Sequence, residues 1–380
     1  MTPAPPLGLY VHWPFCARIC PYCDFNVVRD RGQRARQQAL ANAIIHDMTA
    51  QRTLTGPRRL VSIFFGGGTP SLMDPIWVAR LVATARALWD ADADLEVTLE
   101  ANPTDAEAER FTAFAAGGVD RLSLGAQSFD DEALAFLGRN HTAAEAIRAA
   151  EAAAGAFPRR SIDLIYARPG QDAAAWTRDL ETAVALGPEH LSPYQLTIEH
   201  GTAFGRAVER GRWRPPESEL AATLYDVTQA VLARHGFEAY EVSNHARGEA
   251  ARSRHNLLYW RGHDYLGVGP GAHGRITVEQ RRVATRAMAG VDDYLRRVEE
   301  SGRGWETCED LDPLAVAEER LLSGLRTHEG VALADLQPLC LGKLDDFAQA
   351  GLVRVEAGTL TVTPAGRLVL DRLTTELAIH

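Results

Sequence analysis

The chain has 380 residues, of which 46% are hydrophobic and 24% are charged. This length and composition are typical of a globular protein with one large domain and a smaller one. The net charge of −10 argues against a general nucleic-acid-binding protein, which usually carries a basic surface. No apolar run reaches the roughly 18 residues of a membrane-spanning helix. The amino-terminal residues do not resemble a secretory signal, so we expect a cytoplasmic protein.

Strand-like runs alternate with helix-like runs over the first two-thirds of the chain. The strand-like runs are short, rich in β-branched or aromatic residues, and bounded by Gly, Pro or Asn. They cover residues 9–12, 60–65, 95–99, 121–124, 161–166 and 191–196, with a further short run at 239–242. Stretches with helical character lie between them, including 33–48, 77–88 and 143–154. The alternation predicts an α/β fold, a partial (β/α)6 barrel with functional residues at the carboxyl ends of parallel strands.

The pattern changes near residue 299. Helical runs at 315–325 and 333–350 precede strand-like runs at 352–355 and 359–363, which predicts a small α+β domain of winged-helix type. This domain is not markedly basic, so we expect it to serve packing rather than DNA binding. The predicted division is a barrel over 1–240, a connecting region over 241–300 and this carboxyl-terminal domain over 301–380.

Three cysteines lie close together near the start of the chain, at Cys16, Cys20 and Cys23. Their C-x3-C-x2-C spacing favours a [4Fe–4S] cluster with three protein ligands and one iron open to a small molecule. Structural zinc is the alternative, but it requires four ligands, which His12 could complete. The odd count of five cysteines and the lack of a signal-like segment argue against disulfides. Cys308 and Cys340 stand alone, and we expect both to be buried apolar residues.

Glycine and polar residues follow several predicted strands, where a barrel directs side chains to its mouth. The turn 66–70 has three glycines, whose backbone amides can approach a small ligand closely, and it lacks the Lys of a P-loop. Each polar residue could equally be a satisfied loop or capping residue. Together they form a candidate pocket with a carboxylate for ribose hydroxyls, an amide and an Arg for a carboxylate. The polar positions are Glu100, Asn102, Gln127, Ser128, Arg139, His141 and Asp163.

A later segment carries His255, Asn256, Tyr259 and Trp260 in the pattern His-Asn-x-x-Tyr-Trp, and a glycine-rich stretch then precedes His273. Histidine is the usual axial ligand of haem iron, and aromatic rings offer flat apolar contact to a porphyrin. The same residues could instead cap and pack a helix, because partial burial of His, Tyr and Trp is common. The residue types alone leave both interpretations open.

These motifs resemble those of radical S-adenosylmethionine (SAM) proteins related to oxygen-independent coproporphyrinogen III oxidase. The resemblance covers nearly the whole chain and rests on the stretch 10–23, the turn 66–70 and the strand 162–166. It implies a [4Fe–4S] cluster and SAM chelating the open iron, where one-electron reduction would cleave SAM to methionine and a 5′-deoxyadenosyl radical. Thr197 and His273 match SAM-contacting positions loosely. The positions that match more closely are Tyr10, Tyr22, Gly67, Gly68, Thr69, Glu100, Gln127, Arg139 and Asp163.

Two departures from the decarboxylating oxidase indicate a subfamily. The oxidase has a fourth cysteine two positions after the third, where this chain has Phe25. The oxidase also has a long amino-terminal segment, whereas nine residues precede Tyr10 here. Both features, and the His-Asn-x-x-Tyr-Trp pattern, resemble HemW-type haem chaperones. The resemblance implies haem binding near His255, Tyr259 and Trp260, with His255 as the first candidate iron ligand and His273 as the second.

The resemblance implies a protein that binds haem and delivers it to haem-requiring respiratory proteins. We expect an electron donor such as flavodoxin or ferredoxin. We also expect the protein to act in part at the inner face of the membrane, and a homodimer is one of its expected oligomeric states. The sequence leaves open whether SAM is cleaved in the working cycle, and therefore whether the protein is an enzyme. The alternatives are an oxidoreductase like coproporphyrinogen III oxidase and a binding protein with a purely structural cluster. The C-x-x-C-H pattern of covalent haem attachment is absent.

Overall fold

The computed structural model describes residues 4–378. The strands are β1 (Pro6–Trp13), β2 (Phe15–Cys16), β3 (Val28–Arg29), β4 (Arg59–Gly67), β5 (Asp90–Ala101), β6 (Arg121–Gln127), β7 (Arg159–Tyr166), β8 (His190–Gln195), β9 (Glu238–Glu241), β10 (Asn244–Ala246), β11 (Asp264–Val268), β12 (His273–Val278), β13 (Arg281–Ala287), β14 (Trp305–Asp310), β15 (Val331–Ala332), β16 (Val353–Glu356) and β17 (Thr359–Val362).

The helices lie mostly between these strands. They are α1 (Arg34–Thr55), α2 (Pro75–Leu88), α3 (Asp105–Ala108), α4 (Phe111–Ala116), α5 (Asp131–Phe136), α6 (Ala143–Ala156), α7 (Ala173–Ala185), α8 (Ala203–Glu209), α9 (Ser218–Arg234), α10 (Arg254–Trp260), α11 (Val291–Ser301), α12 (Pro313–Arg326), α13 (Leu344–Gln349), α14 (Pro364–Arg367) and α15 (Leu370–Ala378). Single 3₁₀ turns lie at Pro70–Leu72, Glu249–Ala251 and Leu333–Leu336. None of the helices between residues 4 and 378 has the length and hydropathy that a membrane span requires.

A large sheet organises most of the molecule, in the order β14-β13-β12-β11-β1-β4-β5-β6-β7-β8-β10-β9. The strands from β11 to β8 in this order pair in parallel, and antiparallel strands extend both edges. The prediction of an α/β fold with a largely parallel sheet is confirmed. Each of the predicted strands up to residue 242 overlaps a strand of this sheet. The carboxyl ends of the parallel strands therefore meet at one rim.

Successive side chains along each strand alternate between two faces of the sheet. The outer face packs in the apolar core, and the inner face lines a cavity. On β1, Leu7, Leu9 and Val11 are buried in the same apolar cluster as Leu40 and Ile44 of α1. On β6, the alternate residues of the opposite face line a cavity inside the curved sheet. Side chains of a strand point alternately to its two faces, so one strand can supply both the core and a site. The outward faces bury the helices, and the inward faces remain available for chemistry.

The carboxyl-terminal region has an apolar core of its own. A sheet in the order β15-β17-β16 packs with α12 and α15 around Leu321, Leu325, Leu360 and Leu373. Strand β14, inside the predicted third segment, instead pairs with β13 in the large sheet. The domain boundaries themselves stay predictions, and their outermost residues, 1–3 and 379–380, lie outside the described residues.

Two local expectations for this region were wrong. The predicted helix over 333–350 is a 3₁₀ turn followed by the short helix α13. Pro338 lies between them and has no backbone N–H to continue a helix. Cys308 and Cys340 are exposed rather than buried. Cys308 lies on β14, which is the edge strand of the large sheet and is therefore open to solvent on one side.

Candidate functional site

A cavity of about 920 Å³ opens at the carboxyl-end rim of the large sheet. We call it the rim cavity. It collects most of the positions predicted from sequence, although they come from separate strands and loops. Those that line it are Cys16, Cys20, Tyr22, Cys23, Gly67, Gly68, Thr69, Glu100, Gln127, Arg139 and Asp163. Tyr10 lies beneath this set, where its ring stacks on Phe64 with 6.2 Å between centroids.

The cysteine loop, residues 16–23, lies against the first strands of the sheet. Asn26 anchors the chain beyond it by donating to the carbonyls of Pro270 and Ala289, each at 2.9 Å. His12 Nε2 is 2.9 Å from the Asn26 carbonyl oxygen, and His12 Nδ1 is 3.0 Å from the Tyr10 hydroxyl. Both ring nitrogens of His12 are therefore engaged in positioning the loop, and neither is directed to the cysteines as a fourth zinc ligand would be.

The glycine turn after β4 packs closely against the segment that leads into the cysteine loop. Gly67 has φ of 105°, which favours glycine, and a Cβ there would collide with the His12 ring. A Cβ on Gly68 would lie 2.7 Å from the backbone of Pro14. The Gly68 amide donates to the Trp13 carbonyl at 2.7 Å. The glycines therefore let the turn pack directly on the segment that carries Cys16, which is a stronger requirement than a simple reversal of the chain.

The three thiols have different electrostatic surroundings. Burial raises the pKa of Cys16 to about 11, and it also raises the pKa of Cys23. Cys20 instead accepts a hydrogen bond from Arg139 Nη1 at 3.4 Å. A metal ligand must be a thiolate, so ligation would displace the protons from Cys16 and Cys23. Three thiols from one loop, facing one cavity with a guanidinium beside them, fit the ligand set of a cluster with three cysteines.

Arg139 links the cysteine loop to the strands. Besides Cys20, it donates to Asn102 Oδ1 at 2.5 Å and to the Gly125 carbonyl at 2.9 Å. Asn102 in turn donates to the Thr69 hydroxyl at 3.1 Å. Gln127, at the end of the neighbouring strand, has φ of 68°, a left-handed conformation that is uncommon for a non-glycine residue. Such strain is frequent at ligand-binding sites, because the surrounding structure holds it in place.

The carboxyl groups of Glu100 and Asp163 line the rim cavity on the inner face of the sheet. Burial raises the pKa of Glu100 to about 8, and the charge of Asp163 adds to this shift. Burial also raises the pKa of Asp163. The Gly67 amide donates to Glu100 at 3.3 Å, and the Ser123 hydroxyl donates to Asp163 at 2.9 Å. Perturbed carboxyl groups in a cavity are typical of functional sites, here with the capacity to bind hydroxyl groups in either protonation state.

The His-Asn-x-x-Tyr-Trp segment forms helix α10, and its residues divide between two faces. His255 is 4% exposed, its Nδ1 lies 3.0 Å from the Ser62 hydroxyl, and its ring stacks on Phe64 with 5.0 Å between centroids. Burial lowers the pKa of His255 to about 4. Trp260 is also buried and packs on Tyr240. These residues therefore have a packing role whether or not the segment also binds haem.

The other face of α10 borders open space. Asn256 lines the rim cavity, and it also lines a neighbouring cavity of about 430 Å³. Tyr259 and Trp260 contribute to this second cavity, and Leu322 and Arg326 of α12 form its opposite wall. The helix thus lies between the rim cavity and the carboxyl-terminal region. The predicted haem ligand His273 is exposed at the start of β12, outside both cavities.

Sequence reasoning did not select several residues that line the rim cavity. Arg121 and Ser123 of β6 and Asn244 of β10 are among them. A signal for the first two was available, because Arg121, Ser123 and Gln127 have the same parity along one strand and must share a face. No comparable signal exists for Asn244, whose place depends on how a distant strand joins the edge of the sheet.

The parallel sheet, the three-cysteine loop and the cavity at the strand ends define a radical SAM protein. Residues 10–183 match the Radical SAM superfamily, and residues 311–369 match the HemN C-terminal domain. The structure of coproporphyrinogen III oxidase (HemN) from Escherichia coli, a radical SAM enzyme, superposes with a TM-score of 0.82 at 22% identity. That match covers 99% of this chain and 91% of the other, so the two proteins share the whole fold.

More similar sequences place the chain within this class. The heme chaperone HemW of Escherichia coli is 35% identical over 98% of both chains. HemW of Bacillus subtilis is 32% identical over 95% of this chain and 96% of its own. The mitochondrial radical S-adenosyl methionine domain-containing protein 1 of Bos taurus is 42% identical over 85% of this chain and 74% of its own. The chain belongs to the HemW family of radical SAM proteins, and this family implies a [4Fe–4S] cluster and SAM.

Proposed function

We propose that this protein is a haem chaperone, which binds haem and passes it to haem-requiring proteins. The observation that carries the proposal is the continuity of the rim cavity, which extends from the cysteine loop to Asn256 on the motif helix α10. Phe25 lines the same cavity and is 60% exposed, at the position where an oxidase of this fold has a fourth cysteine. The names of the HemW relatives support the same function.

The cluster would be held by Cys16, Cys20 and Cys23. When bound, a cluster of this kind supplies one-electron chemistry to SAM. The cavity offers SAM an arginine, an amide and carboxyl groups that suit its carboxylate, amine and hydroxyl groups. We propose as its contacts Tyr10, Tyr22, Gly67, Gly68, Thr69, Glu100, Gln127, Arg139 and Asp163.

Haem would contact the motif helix through the face that carries Asn256 and Tyr259, because these side chains border the two cavities. Two histidines are candidate iron ligands. His273 is exposed, so haem can reach it without a change in the protein. His255 must leave Ser62 and Phe64 before it can bind iron. In its buried position the imidazole is neutral, because burial lowers its pKa to about 4.

The test is an anaerobic haem titration followed by absorption, on protein whose cluster has been reconstituted. His255→Ala, His273→Ala and the control His200→Ala are compared with the wild type, since His200 is solvent-exposed and lies outside both cavities. We expect saturable binding by the wild type and by the control, and weaker binding by one of the other two variants. Absence of binding by the wild type overturns the function, whereas equal binding by all four overturns only the ligand assignment.

The recipients and the setting of haem transfer are further parts of the proposal. Haem-accepting respiratory proteins would take the haem, and flavodoxin or ferredoxin would supply electrons to the cluster. Contact with the inner face of the membrane and formation of a homodimer would bring the protein to its recipients. Co-purification of a respiratory protein with the haem-loaded form, and not with the haem-free form, is the measurement that supports this part.

A further inference from the structure

Large apolar side chains that remain exposed are concentrated at the rim cavity. Eight such side chains are exposed among residues 4–378, and five of them line this cavity. Two others, Ile76 and Val355, line neither this cavity nor its neighbour. Single exposed apolar residues are normal on a protein surface, whereas several at one cavity mark an interaction site. The five are Ile19, Phe25, Tyr194, Leu368 and Val369.

Two of the five belong to the segment that carries the cysteines. Ile19 lies inside the cysteine loop, and Phe25 follows two positions after its last cysteine. The next residue, Asn26, is fixed by its two hydrogen bonds to backbone carbonyls, each at 2.9 Å. Phe25 is therefore exposed on an anchored stretch of backbone, where its ring is available to a ligand without a rearrangement of the chain.

Leu368 and Val369 come from the other end of the chain, in the connection between α14 and α15. Residues on both sides of this connection are anchored. Arg367 donates to two backbone carbonyls at the end of α12, each at 3.1 Å, and Leu370 is buried in the carboxyl-terminal core. The connection presents two apolar side chains to the rim cavity, so the carboxyl-terminal region contributes to the candidate site as well as to packing.

The number of exposed apolar residues favours a small ligand over a protein partner. A specific protein interface uses roughly 20–30 residues on each side, far more than these five. The rim cavity has a volume of about 920 Å³, near the upper end of the range for small-molecule sites, which leaves room for a ligand besides SAM. Apolar groups that come from two separate parts of the chain and line one cavity suit a ligand with a wide, flat apolar surface.

A cation accompanies the apolar side chains of the loop. Arg18 precedes Ile19, lines the rim cavity and is exposed. Its Nη1 lies 3.4 Å from the Arg139 carbonyl oxygen, and it forms no ion pair with another of the described residues 4–378. A guanidinium is well suited to binding a carboxylate. The rim cavity therefore offers an exposed cation as well as apolar contact, which matches a flat apolar ring system with carboxylates at its edge.

We propose that the haem macrocycle lies at the opening of the rim cavity, in contact with two groups of apolar side chains. This inference rests on the proposed function and names the side chains that would hold the porphyrin. Because these side chains are exposed and line the cavity, they lie at its opening, and a bound macrocycle would cover them. Haem would then connect the cysteine loop to the carboxyl-terminal region. The two groups are Ile19 with Phe25, and Leu368 with Val369.

The test is an anaerobic haem titration, followed by absorption, on the full-length protein with its cluster reconstituted. Phe25→Ser and the double variant Leu368→Ser/Val369→Ser should each bind haem on the order of 10-fold more weakly than the wild type, because each loses apolar contact with the macrocycle. Ile76→Ser and Val355→Ser are the matched controls, since they remove exposed apolar side chains that lie outside both cavities. Both controls should bind haem like the wild type.

The outcomes separate this inference from the proposed function. Wild-type haem affinity in either cavity variant overturns the inference, and so does an equal loss of affinity in the two controls, which would indicate nonspecific adsorption of haem. Unchanged haem affinity with slower transfer of haem to a recipient protein would show that these residues dock the recipient, which also overturns the inference. If the wild type binds no haem, the proposed function itself is overturned.

Two further measurements test indirect effects of the substitutions. Because the substituted side chains are exposed, the ligand-free variants should unfold at the wild-type temperature, and a clear decrease would show a packing role and contradict the proposal. Iron content, and SAM binding in equilibrium dialysis, should also match the wild type. If the weaker haem binding of Phe25→Ser is accompanied by loss of iron or of SAM binding, then Phe25 serves the cluster or SAM, and the inference is wrong.

Discussion

The cysteine loop and helix α10 both carry sequence motifs, but the structure uses their residues differently. On the loop, Cys16, Cys20 and Cys23 all line the rim cavity. On the helix, the residue with the most evident chemistry, His255, is packed inward, while Asn256 and Tyr259 border the cavities. An irregular loop can direct consecutive motif positions to one side, whereas a helix distributes them around its axis. A motif on a helix therefore combines packing and function, and its most recognisable residue need not be the exposed one.

The largest effect should come from substitutions of the cysteines in the cysteine loop. Each of Cys16→Ser, Cys20→Ser and Cys23→Ser should lose nearly all cluster iron, because a serine hydroxyl does not replace a thiolate ligand. The measurement is iron and sulfide content after anaerobic reconstitution. Cys308→Ser is the matched control, since this cysteine is exposed on an edge strand and should leave the cluster unaffected. A full cluster in any of the three loop variants contradicts the ligand assignment.

The next largest effect should come from replacing Glu96, which supports the start of helix α10. Glu96 is fully buried, pairs with Arg159 at 2.8 Å and accepts from the first two amides of α10. Glu96→Ala should reduce the free energy of unfolding by about 3–5 kcal/mol, because it removes the buried carboxylate that pairs with Arg159 and leaves the helix amides without their acceptor. Urea denaturation measures the change.

A surface ion pair provides the comparison for Glu96. Arg148 bonds to Asp105 on the exposed surface, and surface pairs contribute little to stability. Arg148→Gln should therefore leave the unfolding midpoint nearly unchanged. If Glu96→Ala is as stable as Arg148→Gln, the buried pair does not hold the motif helix in place.

Glu100 should make the free energy of unfolding depend on pH. Its folded-state pKa, about 8, is above its ordinary value of 4.5, so the folded protein holds this proton more tightly than the unfolded chain. The free energy of unfolding should therefore fall as the pH rises from about 4.5 to 8, by up to a few kcal/mol. Glu100→Gln should remove this part of the slope. Denaturation at several pH values tests the prediction, and an identical slope in the variant would contradict it.

The smallest effect should come from the outward face of the helix. Tyr259→Ala should weaken haem binding by roughly 3- to 10-fold, because one aromatic contact contributes about 0.5–1.5 kcal/mol. Leu258→Ala is a matched control on the inward face, since Leu258 is buried, and it should reduce stability more than haem affinity. If the two variants affect haem affinity equally, then the two faces of α10 do not differ in function as we describe.

The sequence predicted the parallel strands and the cysteine loop well, because both depend on short-range patterns. Strand alternation revealed the elements, and the spacing of three cysteines indicated a cluster. The contact between Arg139 and Cys20 joins residues 119 positions apart, so no local pattern could give its geometry. The same limit applied to Cys308, whose exposure depends on β14 being an edge strand, and to His255, whose burial depends on Ser62 and Phe64. The alternation on β6 contained the signal that Arg121 faces the cavity, but only the assembled sheet shows that its charge helps to lower the pKa of the buried Glu96.

Haem transfer is the most direct test of the central claim. Haem-loaded protein, with its cluster reconstituted, would be mixed under anaerobic conditions with a respiratory haem protein from which haem has been removed, and absorption would follow haem in the recipient. We expect haem to move to the recipient, and we expect that the same protein with SAM, reductant and coproporphyrinogen III does not form protoporphyrinogen over many turnovers. Sustained protoporphyrinogen formation without haem transfer would contradict it and would identify an oxidase.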